Sequence, residues 1–146
     1  INFGSGFLTR TAREYSDAQQ AAFLRFRAQS GLEPDHPEIT TFGVRYREQN
    51  PYPFATVDDV LDHIDRAVEL AGIDHVGLGS DYDGVGDSLP TGLKDVSAYP
   101  NLIAGLLRRG YSETDIEKIL GGNTLRVWQA VAGYGAARGY PPICRL

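Results

Sequence analysis

The sequence is poor in sulfur-containing residues, in histidine and in positive charge. Its 146 residues include no methionine, one cysteine and three histidines. The lone cysteine, Cys144, excludes a disulfide within the chain and favours a free, inert thiol, with an intermolecular bridge as the alternative. No Cys–His spacing is typical of a zinc site. The net charge of −5 argues against nucleic acid or an anionic membrane as a partner, because no basic surplus offsets their phosphates.

Long apolar runs are absent as well. No segment approaches the ~20 apolar residues that span a bilayer. The chain begins at Ile1 without a methionine, so we expect its natural start to have been removed or to lie on upstream sequence. Hydrophobic residues make up 42% and charged residues 23%, which is ordinary for a globular protein with one core. We therefore predict one partial domain over residues 1–146, with a Gly- and Pro-rich surface tail at 132–146.

Local patterns predict most of the helices. Capping boxes, in which a hydroxyl and the side chain three residues later bond each other's backbone, predict helix starts at Ser16, Thr56 and Ser112. Residues 31–55 are rich in proline and aromatic side chains, which predicts a packed irregular loop. Asn123 is expected to cap the last helix.

Two short apolar segments, residues 1–3 and 73–79, predict buried strands joined by a connection that contains helices. Strands connected in this way pair in parallel, and a parallel sheet is covered on both faces. Two strands cannot make a closed sheet. The sequence therefore predicts a part of a larger α/β fold.

The most informative segment is GLGSDYDG at residues 77–84, which ends the second predicted strand. Such strand ends carry catalytic groups in α/β barrels, and a carboxylate there can hold and pass on a proton, so Asp81 is the candidate catalytic residue. A turn is the alternative for both acids and is favoured for Asp83, because Asp-Gly is typical of turns. A dinucleotide fingerprint fails because its third glycine falls at Tyr82, and a calcium loop fails because Val85 replaces an oxygen ligand.

The three histidines lie on separate predicted elements. His36 falls in a loop, His75 begins a predicted strand, and His63 follows Asp59 by one helical turn, which predicts an ion pair between the two. Because a metal site needs convergent ligands, we predict no metal ligand among them.

Several ordered segments resemble one known family. They are residues 77–84, PTGLKDVSAYP at 90–100, LLRRGY at 106–111 and GNTLRV at 122–127, together with Asn2-Phe3 and DHID at 62–65. These segments are similar to the renal (membrane) dipeptidases, a family of zinc metallopeptidases, closely over residues 54–131 and loosely over 1–10. Residues 11–53 resemble a longer connection found in some bacterial members.

The resemblance implies a fold and a site. The fold would be the C-terminal part of a (β/α)8 TIM-type barrel, about its last two βα units plus terminal helices. Two zinc ions would share a hydroxide that attacks the peptide bond of a dipeptide. Asp81 matches the acid that would shuttle a proton from this water to the leaving amine. Asn2 and Phe7 match positions beside the substrate, and Asp83 is a third candidate for substrate binding.

The family's zinc ligands, and the arginine that holds the substrate carboxylate, match no position in this chain. The resemblance therefore implies that zinc is held by a missing N-terminal part of the barrel. That part is an expected partner, beside the dipeptide substrate and a second copy of the chain. Two hypotheses follow. The chain is the C-terminal part of a zinc dipeptidase, or it is a catalytically silent fragment that acts only by association with another chain.

Overall fold

A computed structural model describes residues 1–140. Cys144 and the last residues of the predicted 132–146 tail lie outside the described residues. The described part is built from α-helices, with one long segment free of helix and strand at residues 76–95. The α-helices are Ser5–Leu8 (α1), Arg10–Ser30 (α2), Pro37–Thr40 (α3), Phe42–Gln49 (α4), Val57–Ala71 (α5), Tyr99–Arg108 (α6), Glu113–Glu117 (α7) and Asn123–Ala136 (α8). Two 3₁₀ turns, Ile73–His75 and Val96–Ala98, and a π-type turn, Lys118–Gly122, complete them.

The predicted α/β fold, the C-terminal part of a (β/α)8 barrel, is wrong for this structure. Residues 1–140 contain no β-strand, and their β-type pairing is limited to one isolated parallel bridge between Thr56 and Thr91. The second predicted strand begins instead as the 3₁₀ turn Ile73–His75, directly after Gly72 with φ 85°. Val76 is buried, as the apolar pattern predicts. A strand also needs a neighbouring strand with which it forms a continuous ladder of hydrogen bonds.

The two segments predicted as strands nevertheless lie side by side for a few residues. The backbone nitrogen of Ile1 donates to the carbonyl of Gly77 at 2.7 Å, and that of Gly79 donates to Ile1 at 2.9 Å. A third bond runs from Phe3 to the carbonyl of Ser80 at 3.3 Å. This contact is too short to form a strand, but it sets the start of the chain beside the segment that leads to Asp81.

Capping patterns explain where several helices begin. The predicted boxes at Thr56 and Ser112 are confirmed, and each hydroxyl accepts from the backbone three residues later. The prediction at Ser16 is wrong, because α2 begins at Arg10 with Thr9 as its cap. Inside that helix the Ser16 hydroxyl donates to the carbonyl of Ala12 at 3.0 Å, which satisfies it without ending the helix.

The predicted loop at 31–55 contains two helices, α3 and α4, so that prediction is wrong in its secondary structure. Its aromatic residues are packed, as expected. Phe42 lies 5.3 Å from both Phe23 and Phe26, centroid to centroid, and joins α4 to α2. Pro37 did not exclude a helix, because proline is well tolerated in the first turn, where its nitrogen needs no partner.

The core lies between α5, α6 and the turns that precede α8. Its fully buried side chains include Leu61, Leu102, Leu106 and Ile119. Helices α5 and α6 approach closely at Gly105, where an added Cβ would lie 2.4 Å from Leu61 Cδ1. No helix in residues 1–140 combines the length and apolar character needed to cross a bilayer.

Candidate active site

The Asp81 carboxylate and the Asn2 side chain meet at the end of the paired segments. The Asn2 amide nitrogen donates to Asp81 Oδ2 at 3.0 Å, and the two residues are 79 positions apart in sequence. The Asn2 amide oxygen in turn accepts from the backbone N–H of Gly4 at 2.7 Å. Because a backbone N–H can only donate, this second bond fixes which end of the amide faces Gly4, and the NH₂ group must face Asp81.

The backbone at Asp81 has an uncommon conformation. Asp81 has φ 60° and is the one residue other than glycine with positive φ in the described part of the chain. Aspartate tolerates the left-handed region better than most residues, at a cost of roughly 1–3 kcal/mol that the surroundings must offset. The turn that follows supplies part of this support, since the Gly84 N–H donates to the Asp81 carbonyl at 3.1 Å. Strain of this kind is a common feature of functional sites.

Gly84 is required by the position of the Asp81 side chain. A Cβ added at Gly84 would lie 2.0 Å from Asp81 Oδ1, far inside van der Waals contact. The carboxylate therefore lies directly over the glycine backbone, held from one side by Asn2 and limited on the other by Gly84. Its position is defined by two groups from distant parts of the chain.

An aromatic cluster lies behind this pair. The Phe3 ring is fully buried and contacts Tyr82 at 5.8 Å and Tyr99 at 6.2 Å between ring centroids. The Tyr82 hydroxyl donates to the carbonyl of Asp95 at 3.0 Å. Burial, with smaller contributions from Tyr99 and Asp95, raises the pKa of Tyr82 to about 12, so the phenol stays neutral at ordinary pH. The cluster anchors Phe3 and Tyr82, the residues that directly follow Asn2 and Asp81.

The two remaining predicted site residues differ in their placement. Phe7 lies on α1 with 64% of its surface exposed, and one of its ring carbons would be 3.0 Å from a Cβ at Gly4. It therefore lies beside Gly4, next to the Asn2 amide oxygen. Asp83 is exposed within the turn, as the alternative interpretation predicted. A role of Asp83 in substrate binding stays a prediction.

Two histidines serve as structural hydrogen-bonding groups. His36 caps α3, with its Nδ1 accepting from the backbone of Glu38 at 3.2 Å. His63 was predicted to pair with Asp59, and this is wrong, because its Nε2 lies 2.9 Å from the Leu8 carbonyl, to which it must donate.

Within residues 1–140 no group of three or more His, Cys, Asp or Glu side chains could hold a metal ion. The side chains of residues 1–140 therefore do not fit the pair of zinc ions that the family resemblance implies.

Sequence reasoning missed several residues that hold the site together. Ser5 is fully buried, and its hydroxyl accepts from the backbone of Ala55 at 3.0 Å. Asn123 does not cap α8 and instead donates to the carbonyls of Ile73 and Val76 at 2.7 and 2.9 Å. Local sequence offers no signal for such contacts, since each joins segments about fifty positions apart.

The comparisons with known proteins agree on one family. The family pattern described as "Membrane dipeptidase (Peptidase family M19)" matches residues 1–138. This chain belongs to that family, whose members are metal-dependent. It is 57% identical over 72 residues to a dipeptidase named ataJ from Aspergillus terreus, covering 49% of this chain and 17% of the relative. It is 46% identical over 84 residues to dipeptidase tcpJ from Claviceps purpurea, covering 58% of this chain and 20% of the relative.

A solved structure is similar over most of the chain. It is the crystal structure of the probable dipeptidase PvdM from Pseudomonas aeruginosa, with a TM-score of 0.59 and 32% identity, covering 88% of this chain and 35% of that one. An uncharacterised dipeptidase from Schizosaccharomyces pombe is 43% identical over 96 residues, covering 64% of this chain and 23% of its own length. The chain thus spans about a fifth of the length of the curated relatives it matches.

Proposed function

We propose that this chain contributes the proton-transfer residue of a zinc-dependent dipeptidase. The main support is the defined position of the Asp81 carboxylate. Asn2 donates a hydrogen bond to it, and Gly84 leaves the space that it occupies. Membership of the membrane dipeptidase family supports dipeptides as the substrate class. Zinc, when bound, would supply an activated water, and its ligands would come from residues outside the described part of this chain.

Asp81 is suited to move a proton in this reaction. One of its oxygens accepts from Asn2, and the residue is exposed, so the carboxylate is open to solvent and substrate. As general base it would take a proton from the attacking water, and as general acid it would return that proton to the departing amine. Phe7, beside Gly4, would contact the substrate through its exposed ring.

The first test is the turnover of dipeptides by Asp81→Asn in the zinc-loaded complex of this chain with the part that supplies the zinc ligands. The variant keeps the shape of the side chain and removes its basicity, so we expect kcat to fall by about 10²–10⁴-fold. Zinc content, measured by elemental analysis, should stay as in the wild type, because Asp81 is proposed as a proton carrier. The comparison variant Asp83→Asn should keep kcat and change KM alone. Unchanged turnover in Asp81→Asn would refute the proposed role.

A second candidate function has its own supporting observation. Helix α8 exposes large apolar side chains over its whole length: Leu125, Val127, Trp128, Val131 and Tyr134 are 51–65% exposed. Contiguous apolar surface of this kind is typical of an interface. The chain would then be catalytically silent and act by packing α8 against another chain. Native mass spectrometry separates the two: a zinc-free complex without dipeptidase activity favours the second function, and a zinc-containing active complex favours the first.

A further inference from the structure

A cleft of about 460 Å³ lies next to the Asn2–Asp81 pair, formed by α1, α2, α4 and the loop after Asp81. Its volume falls within the range of ~300–1,000 Å³ that small-molecule sites occupy. Gly4 and Gly84 both line it, and these are the glycines against which the Asn2 and Asp81 side chains lie. A ligand in the cleft therefore contacts the same backbone that positions the pair.

The cleft is positively charged in a protein whose net charge is −5. Arg13 from α2 and Arg47 from α4 line it, and no carboxylate is among its lining residues. The Asp81 carboxylate lies against Gly84 at the border of the cleft, and the acids that pair with the two arginines offset their charge only in part. Asp17 lies 3.7 Å from Arg13 in an exposed pair, which contributes little. The Asp87 carboxylate forms ion pairs with both Arg47 at 3.8 Å and Lys94 at 3.6 Å, so its single negative charge offsets two positive charges only in part.

Arg47 is held in place with most of its donors unused. Its guanidinium carbon lies 5.4 Å from the centre of the Tyr52 ring, and Nη1 donates to the Asp87 carbonyl at 3.2 Å. A guanidinium has five N–H donors in a planar fork, which matches the two oxygens of a carboxylate. Tyr52 also lines the cleft, so the guanidinium and the ring that it contacts belong to the same wall.

We infer that this cleft binds the acidic side chain of a dipeptide substrate, with Arg47 as the residue that selects it. The inference rests on the proposed function for the nature of the ligand. The uncharged polar residues Ser16 and Gln19 line the same cleft, and their side-chain oxygens can still accept hydrogen bonds from the peptide itself. An acidic residue, Asp or Glu, is thus preferred over its amide counterpart.

Binding is measured by isothermal titration calorimetry on the 146-residue chain without zinc, comparing Ala-Glu with Ala-Gln. These ligands differ by one charge, and we expect Ala-Glu to bind about tenfold more tightly, the effect of one charge-assisted hydrogen bond. Equal affinity for the two would overturn the inference. Inorganic phosphate that binds as tightly as Ala-Glu would overturn it too, because the cleft would then be a general anion site.

Substitutions on α4 test whether Arg47 causes the preference for Ala-Glu over Ala-Gln. Arg47→Gln should abolish the preference for Ala-Glu, whereas Arg47→Lys should retain part of it. Arg45→Gln is the matched control: Arg45 lies on the same helix, contacts the Glu38 carbonyl and the Phe26 ring, and should leave the preference unchanged. Circular dichroism melts verify that each variant is folded. A preference that survives in folded Arg47→Gln refutes the assignment.

Failure of the inference and failure of the proposed function are distinguishable. Calorimetry needs no zinc and no turnover. A preference for Ala-Glu, combined with no hydrolysis of either dipeptide by the zinc-loaded complex of this chain with the part that supplies the zinc ligands, supports the cleft and refutes the enzymatic proposal. Hydrolysis that proceeds with equal kcat/KM on the two dipeptides supports the enzymatic proposal and refutes the selective cleft.

Discussion

Asn2 donates a hydrogen bond of 3.0 Å to the carboxylate of Asp81, although 79 positions separate them in sequence. Each partner is itself fixed locally, Asn2 by the Gly4 N–H and Asp81 by the turn to Gly84. The bond therefore joins two small rigid units, and neither side chain must be ordered when a substrate arrives. Such preorganisation is what a proton-transfer residue requires.

Gly84→Ala should disable the site while leaving the fold intact. The new methyl group would lie 2.0 Å from Asp81 Oδ1, so the carboxylate must leave the position in which Asn2 holds it. Misplacement by about 1 Å can cost on the order of 100-fold in rate, and we expect kcat to fall by this amount. Gly84 is exposed, so the midpoint of urea unfolding should change little.

Gly79→Ala is the control for this substitution. Gly79 lies in the same segment, its φ is not positive, and no atom approaches within 4 Å of an added Cβ. Its turnover should match that of the wild type. Equal losses in the two variants would mean that the segment is merely sensitive to substitution, and the special role of Gly84 would be wrong.

Gly105→Ala should destabilise the protein, although alanine is the better helix former by ~1 kcal/mol. The added methyl would lie 2.4 Å from Leu61 Cδ1, and Leu61 is fully buried between α5 and α6. Overpacking of this kind typically costs about 1–3 kcal/mol, measured as the free energy of urea unfolding. Gly133→Ala, in open space on α8, should instead be neutral or slightly stabilising.

A second variant tests the cause of that loss. Leu61→Ala should by itself cost about 2–5 kcal/mol, because it leaves a cavity in the core. Adding Gly105→Ala to this variant should cost nothing further, since the clashing atoms are gone. If Gly105→Ala costs the same in both backgrounds, the contact with Leu61 is not its cause.

The unfolding free energy should decrease between pH 10 and 12. Burial, followed by the hydrogen bond to Asp65 at 2.8 Å, raises the pKa of Tyr111 to about 12, and an unfolded tyrosine titrates near ~10. A group with a raised pKa stabilises the fold fully below its unfolded pKa and loses this contribution as the pH rises through the folded one. Urea unfolding at successive pH values should show the decrease.

Tyr111→Phe should reduce this dependence, because phenylalanine has no proton to lose. The part due to Tyr82, whose pKa is also raised to about 12 by burial, should remain. Tyr134→Phe removes a phenol that is 61% exposed and should leave the slope as it is. A slope that is insensitive to Tyr111→Phe would indicate that other groups control alkaline stability.

Sequence reasoning succeeded where the signal was local. The capping boxes at Thr56 and Ser112 are each complete within four residues, and both are formed as predicted. Asp81 was chosen from its place at the end of a predicted strand that the structure does not contain, and its catalytic role stays a prediction. The capping prediction failed at Ser16, where the same pattern lies inside α2. There the Ser16 hydroxyl donates to the Ala12 carbonyl instead of capping a helix.

The partners of Asp81 are not visible in its local sequence. That Gly84 is required for steric reasons follows from a left-handed backbone at Asp81, which residue types alone do not specify. The strand prediction at 73–79 failed for a related reason. Whether an extended apolar segment becomes a strand depends on its neighbours, and here the contact with residues 1–3 ends after three hydrogen bonds.

The central claim is that Asn2 serves the reaction by holding Asp81, and a double-mutant cycle on kcat tests it most directly. In the zinc-loaded complex of this chain with the part that supplies the zinc ligands, Asn2→Ala should lower kcat by about tenfold, the effect of one hydrogen bond to a charged group. In the Asp81→Asn background the same substitution should have no further effect, because the group that Asn2 positions no longer transfers protons. If the two losses instead multiply, Asn2 acts independently of Asp81, and the account of the site is wrong.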